Sequence, residues 1–443
     1  MHENHENDRE PTERIDAGIP GGRSLGFRKT LDVKTDPWQG SRLRRLDNRH
    51  KEDFRYRKRV SNTYQGLCRP AKPPWEIVPN GAGSATIGDM PDDVTLYLGT
   101  YTSEGGSRGI YRARLDLATG QLSKPEFVAE AKNPSFLALH PAGRFLYAVQ
   151  EADGGSVSAY AVGPDGGLTL LNSRLSEGSA PCHITVDPFA RNVLVANYGN
   201  GTAACFPIAN DGSLAPVSWK FQNSGTGPNA GRQEGPHMHA IVPDSRSRHV
   251  YACDLGTDEV LVFKFDTDKG TLESETPRST KIAPGGGPRH FALHPSGRFA
   301  FANHEMGNAV TAFAVDAETG ALTILNTLST VPSDWKGGGT AEIVAHPGGR
   351  WLYVSNRGPD SIGVFRIEDD GRLTGVEIAA AGVKEPRGMD VDPTGRWLVV
   401  AGQNSDDLAV MAIDPSTGAL RPSSKMTGLS KPVCVLFARP QRH

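Results

Sequence analysis

Short apolar runs, alternating with polar positions or continuous and rich in β-branched and aromatic side chains, recur along most of the chain, as in Phe145–Val149 (FLYAV) and Trp351–Val354 (WLYV). Such runs suit pleated strands and do not fit a helical period. They are punctuated by turn phrases in which Gly follows Asp, Thr, Lys or Gly: ATGQL ending at Leu122, DGGL at Leu168, DGSL at Leu214, DKGTL at Leu272, ETGAL at Leu322, DDGRL at Leu373 and STGAL at Leu420. Gly there supplies the positive φ that tight hairpins need. A second phrase, an apolar run ending in Pro and usually followed by a Gly-Arg turn, places markers at Pro141, Pro188, Pro243, Pro295, Pro347, Pro393 and Pro440, spaced 47, 55, 52, 52, 46 and 47 residues apart. A strand-rich repeat of about fifty residues predicts a propeller.

The two ends of the repeat complete each other. The last unit has an inner strand (VCVLFARP) and then the chain stops, while Thr95–Tyr101 (TLYLGTY) superposes on Trp351–Arg357 (WLYVSNR). We therefore expect an all-β, seven-bladed β-propeller of about four strands per blade over residues 93–443, its last blade built from both termini so that no sheet edge is left open.

Residues 1–92 are a different material. Charged, Gly and Pro residues dominate without apolar periodicity, which predicts a disordered extension. Met90 offers an alternative start just before the first strand. Within the extension, residues 41–60 carry nine Lys or Arg against three acids, with Phe54, Tyr56 and Tyr64 nearby. That tract reads as a solvated tail, with contact to nucleic acid or an anionic surface as the other reading.

Composition narrows the class further. A net charge of −2 and a pI of 6.7 give no bulk bias toward nucleic acid or anionic membrane. Five cysteines, Cys68, Cys182, Cys205, Cys253 and Cys434, are odd in number and form no CxxC pair; with no long apolar span and no secretory leader, they predict a cytoplasmic protein in a reducing compartment.

Superposing the units on their prolines exposes two columns of unlike residues. Six residues before Pro stand Ser135, Cys182, His237, Arg289, Ala341, Arg387 and Cys434. Ten residues after Pro stand Glu151, Tyr198, Glu305, Arg357 and Gln403, with Leu255 matched through a two-residue insertion and Tyr101 taking that place in the split blade. The columns are the start of one strand and the end of its antiparallel neighbour, so they share one edge of each blade. His237, Arg289, Arg387, Glu305 and Arg357 are thus expected to ring one mouth of the central channel, with His183, His290 and Glu342 one residue along. Convergent His, Arg and Glu in a concavity suit proton transfer and anion binding. His237 and His239, two apart, could ligate a metal, but no third ligand stands at motif spacing, so we expect no metal and no cofactor. The glycine-rich stretches 285–287 and 337–339 could cradle an anion through backbone amides, or serve only as connections.

The phrases RQEGPHMHAIVPD (232–244), CDLGTDEV (253–260), GPRHFALHPSGRFAFANHE (287–305), AEIVAHPGGRWLYVSNRG (341–358) and EPRGMDVDPTGRW (385–397) resemble the lactonase family of seven-bladed propellers, which includes propeller-type 6-phosphogluconolactonase and the fungal carboxymuconate cycloisomerase. The resemblance runs from about Val94 to Pro440. It implies a His, two Arg and a Glu in the channel mouth, falling on His237 or His239, Arg289, Glu305 and Arg357. It also implies hydrolysis of a small anionic sugar lactone; the two columns and their neighbours add His183, His239, His290, Glu342, Arg387 and Gln403 as candidate binding residues. A lactonising cycloisomerase would use the same groups in the reverse sense, and LYVSNRGPDSIGVF (352–365) also resembles the repeats of non-catalytic binding propellers.

Overall fold

Hairpin turns close every unit at the positions the glycines mark. In the computed structural model, residues 92–438 are described; the chain divides into two units, Met1–Gly83 and Ser84–His443, and the described residues belong to the second. The basic tract at 41–60, the Met90 start and Pro440 lie outside the described residues. Twenty-eight strands, numbered in chain order, form seven four-stranded antiparallel sheets. The innermost strands are β4 (Leu137–Leu139), β8 (Pro181–Val186), β12 (Met238–Pro243), β16 (Pro288–Leu293), β20 (Gly339–Ala345), β24 (Pro386–Val391) and β28 (Pro432–Phe437). Their neighbours are β5 (Phe145–Gln150), β9 (Asn192–Asn197), β13 (His249–Asp254), β17 (Phe299–His304), β21 (Trp351–Arg357), β25 (Trp397–Gly402) and, for β28, β1 (Asp93–Thr100). The ring closes as expected: Leu96 pairs with Phe437 and Leu98 with Val435, in a sheet completed by β2 (Gly109–Asp116) and β3 (Glu126–Glu130). Among the described residues no helix is long and apolar enough to cross a membrane.

The core lies in seven layers between blades. One layer sets Tyr353, Ile362 and Val364 against Met389, Leu398 and Val400 of the next blade; at the closure, Leu96 and Leu98 meet Val399, Leu408 and Val410. Each large apolar side chain so buried is worth about 1.5–3 kcal/mol. Polar latches fix the blades in register. The buried hydroxyls of Tyr97, Tyr147 and Tyr353 donate to the carbonyls of Gly166, Gly212 and Gly418 in the next blade's hairpin, at 3.0, 3.0 and 3.1 Å. The repeated Leu-Tyr of the strand and the Gly of the turn are therefore two halves of one contact.

That contact makes the turn glycines irreplaceable. Gly212 has φ 85°, and a Cβ there would lie 2.2 Å from Cδ1 of Phe145. Left-handed strain and overlap with a packed ring act together, so Gly212→Ala should cost about 2 kcal/mol or more. Chemical denaturation followed by tryptophan fluorescence measures it; an unchanged midpoint would show that the turn relaxes freely.

Candidate active site

Every inner strand except β4 carries a register shift near its start, and three of the residues so displaced, Cys182, His239 and Arg387, line a cavity at the mouth of the ring. Pro181 pairs with Asn197 but His183 with Ala196, leaving Cys182 out of the ladder. The same slip leaves out His239 between Met238 and Ala240, Arg387 between Pro386 and Gly388, and Val433 between Pro432 and Cys434. It also leaves out Arg289 with His290 and Ala341 with Glu342. A bulge re-aims the side chain it carries, and bulges are frequent beside active sites.

This corrects the proline-based column at two places. His239, not His237, is equivalent to Arg289, and Val433, not Cys434, occupies the last blade. At the first, Pro243 falls two residues early; at the second, Ala438 N donates to Thr95 O as Asp392 N does to Trp397 O, so the count from Pro440 starts one residue late. The turn bond from Asp244 N to His249 O corresponds to the one from His294 N to Phe299 O, so Ser245 holds the place of Pro295. Leu255 then falls into its column without any insertion, its amide donating to His237 O as Glu305 donates to Gly287 O.

Glu151, Cys182, Tyr198, Arg232, His239, Glu305, Arg357 and Arg387 line a cavity of about 260 Å³ at this mouth. Glu305 is its hub. Oε1 accepts from Arg232 Nη2 at 2.6 Å, and Oε2 accepts from Arg289 Nε at 2.8 Å and faces Arg357 Nη2 at 3.2 Å. Burial alone would raise the Glu305 pKa, but Arg289, Arg357 and Arg232 outweigh it and hold the carboxyl down to about 2. Burial, then Arg387, pulls Arg289 down to about 10, still cationic at neutral pH. Arg289 Nη1 also donates to Ala341 O at 2.5 Å. Arg387 lies over the Tyr101 ring at 5.2 Å, and the Tyr101 hydroxyl donates to Glu151 Oε2 at 3.0 Å.

His239 sits among these groups, with Nε2 3.9 Å from Glu305 Oε2 and Nδ1 3.7 Å from Cys182 Sγ. Burial first, and then Arg289, His290 and Arg387, keep its pKa well below the usual imidazole value. It is neutral at working pH. His237 lies apart, stacked on Tyr198 with ring centroids 4.6 Å apart, Nδ1 2.9 Å from Tyr198 O and Nε2 3.2 Å from Glu234 Oε1. The bulge thus gives the two histidines different partners, and they do not converge on one point as a metal pair would.

The remaining expected residues divide. His183, His290 and Glu342 sit one position beyond the bulged residue and line no part of this cavity. His183 stacks on Phe136 with centroids 4.4 Å apart and its Nδ1 accepts from Ile241 N at 3.3 Å. Gln403 is in register with Glu305 and Arg357 but also falls outside the lining, its backbone N–H donating to Glu385 O and its buried side-chain Oε1 unpartnered. In the glycine-rich stretch 285–287, the amides of Gly285 and Gly287 are engaged by the Asp258 carboxylate at 2.7 and 2.8 Å, so the anion they cradle is internal. Arg232 was not among the expected residues. It lies on the segment between β11 (Trp219–Gln222) and β12, outside the repeat, and is about half exposed, 44%.

The chain as a whole has relatives. A family model described as lactonase, 7-bladed beta-propeller, matches residues 95–437. The chain belongs to the seven-bladed β-propeller lactonase family. Within it, the chain is 37% identical over 346 residues to 6-phosphogluconolactonase of Bacillus subtilis, covering 77% of this chain and 97% of the relative. It is 29% identical over 307 residues to 6-phosphogluconolactonase of Formosa agariphila, covering 67% and 86%. Among solved structures, the periplasmic gluconolactonase of Pseudomonas aeruginosa superposes with a TM-score of 0.73 at 32% identity, covering 78% of this chain and 99% of that one.

Proposed function

We propose that the protein is a carboxylic ester hydrolase that opens 6-phospho-D-glucono-1,5-lactone to 6-phosphogluconate, the lactone step of the oxidative pentose phosphate pathway. One observation carries the reading: three guanidinium groups, Arg232, Arg357 and Arg387, line a small cavity that also presents a neutral imidazole, and a fourth, Arg289, is buried behind them on Glu305. The cations exceed the two acidic side chains of the mouth, Glu305 and Glu151, and suit a substrate bearing a phosphate.

Hydrolysis needs a base for water, stabilisation of the tetrahedral oxyanion and a proton for the ring oxygen. Glu305, held near 2 by three arginines, is a poor base. His239 takes the proton as the water oxygen bonds to C1, and Glu305 stabilises the imidazolium from 3.9 Å. Arg289 and Arg357 face the developing oxyanion. As the bond from C1 to the ring oxygen breaks, His239 returns its proton to that oxygen and leaves a hydroxyl. Arg387 and the rim residue Arg232 take the phosphate. A cytoplasmic setting fits the thiols of Cys182, Cys205, Cys253 and Cys434, all buried.

Acid release from each lactone, followed by pH-stat and corrected for spontaneous opening, tests the reading. The phosphorylated lactone should be preferred over glucono-1,5-lactone by about tenfold or more in kcat/KM, the effect of about 1.4 kcal/mol of phosphate contact. Equal rates would move the assignment to an unphosphorylated lactone. No acceleration with either would leave lactonisation of 3-carboxymuconate, or a binding propeller, in its place.

A further inference from the structure

Behind the mouth lies a second, larger cavity of about 560 Å³, the far side of the central channel, lined among others by Phe136, Phe291, Ile343, Met389 and Cys434. Its walls are mostly apolar, yet Glu342 is part of them, its side chain 12% exposed. The lactone chemistry above makes no use of this carboxyl. A hydrogen-bonded chain nevertheless joins it to the hub. Glu342 Oε1 lies 2.7 Å from His290 Nδ1, His290 Nε2 lies 3.1 Å from Arg289 Nη1, and Arg289 Nε donates to Glu305 Oε2 at 2.8 Å.

The chain allows one assignment of protons. Guanidinium nitrogens only donate, so His290 Nε2 must accept from Arg289. The neutral ring then carries its hydrogen on Nδ1 and donates it to Glu342 Oε1, which also accepts from the Ile343 amide at 3.1 Å. Burial keeps the His290 pKa well below the usual value, with Arg289, Arg387 and Arg357 adding to it, consistent with a neutral ring. The second oxygen of Glu342 is left for a proton or a charge.

We propose that Glu342 is a positioning residue: through the tautomer of His290 it aims the Arg289 guanidinium, and its titration from the rear channel adjusts the anion-binding strength of the mouth. The inference deepens the lactonase reading and rests on it for its substrate, but its geometry does not.

The groups that face Glu342 fix the direction of the effect. On β16 these are Arg289 and His290; on β24, Arg387 and, sharing the channel wall, Asp390; on β28, Cys434; and on β21, Ser355, whose Oγ accepts from the Glu342 amide at 2.9 Å. Burial raises the Glu342 carboxyl to about 8, against the lowering by Arg289, the Ile343 amide and Arg387. Below that pH Glu342 is neutral and the full charge of Arg289 is available to the substrate. Above it, the new carboxylate draws on the same arginine through His290, so anion affinity and turnover fall.

The test follows kcat/KM for 6-phosphogluconolactone, and the affinity for 6-phosphogluconate by calorimetry, from pH 6.5 to 9.5 in wild type, Glu342→Gln and His290→Asn. In wild type both quantities should fall about tenfold between pH 7 and 9, as expected for one group titrating near 8. Glu342→Gln cannot ionise, and His290→Asn cuts the link, so in each the bend near 8 should vanish. If one variant fails to fold, by circular dichroism, the other decides. Binding profiles that keep the same shape in wild type and a folded variant overturn the inference, whatever turnover shows. A bend lost in binding with no turnover in wild type would uphold it and overturn the lactonase reading instead.

Discussion

Replacing His239 by asparagine should lower kcat by roughly 10²–10⁴-fold, the usual worth of a general base, while His237→Asn should change it by less than about tenfold. The contrast follows from the bulge in β12. His239 is the displaced residue and faces the cavity with its ring buried, neutral and 3.9 Å from the Glu305 carboxylate. His237 is engaged by Tyr198 O and Glu234 on the far side of that shift, so its loss reaches the chemistry only through Tyr198. KM should stay nearly unchanged in His239→Asn, because the arginines that hold the substrate are untouched. The sign of the pH effect follows from the depressed pKa: a base held well below its ordinary value stays unprotonated through pH 6.5, so the acid limb of wild-type kcat should lie clearly below that. Steady-state kinetics of both variants, with wild-type profiles down to pH 5, decide the matter. Equal losses in the two variants, or an inflection at 6.5, would remove His239 from this role.

Why these particular histidines were hard to order from the sequence is a matter of register. A proline marks a strand end well when it stands one residue after the residue that opens the turn, as at Pro188, Pro295, Pro347 and Pro393. At Pro243 the turn keeps its length, 244–249 matching 294–299, but the proline stands one residue before Asp244, which opens the turn, instead of one residue after the opening residue. Anything counted from Pro243 is displaced by two, which exchanges His239 for His237. Turn bonds, not prolines, are the conserved geometry. Arg289, Glu305, Arg357 and Arg387 fall in the right columns because their prolines all stand one residue after the residue that opens the turn.

The architecture was easier to read than the site. Seven glycine turns and the superposition of TLYLGTY on WLYVSNR determine blade number and closure, because both arise from local backbone chemistry repeated many times. The direction of residues such as His290 and Glu342 does not. In an unbroken strand Arg289 and His290 would point to opposite faces, and only the observed slip between Pro288 and Phe291 brings their side chains within 3.1 Å of each other. Arg232 left still less signal, since its segment between β11 and β12 has no counterpart in the other blades, and a half-exposed arginine in a polar stretch resembles any solvated one.

The second large effect concerns Glu305 and is read in stability as well as rate. Glu305→Gln leaves Arg289, 3% exposed, without its counter-charge while Arg357 and Arg387 remain close by. Stranding a buried charge costs about 3–5 kcal/mol. The pH dependence separates this from a simple packing loss. The carboxyl, ordinarily near 4.5, is held to about 2 in the folded protein. Its ionic contribution is therefore fully present above about 4.5 and is lost as pH falls toward 2. Wild type and variant share every other titrating group, so the stability gap between them isolates this one. By denaturant unfolding, the gap should be near 3 kcal/mol at pH 7 and narrower by roughly 2 kcal/mol at pH 3. A gap that does not change with pH would mean that Glu305 is held by shape and not by the three arginines. Turnover should fall with the stability, because the same carboxylate that balances the arginines also stabilises the imidazolium of His239 during proton transfer; a variant that lost stability yet kept full kcat would separate these two roles.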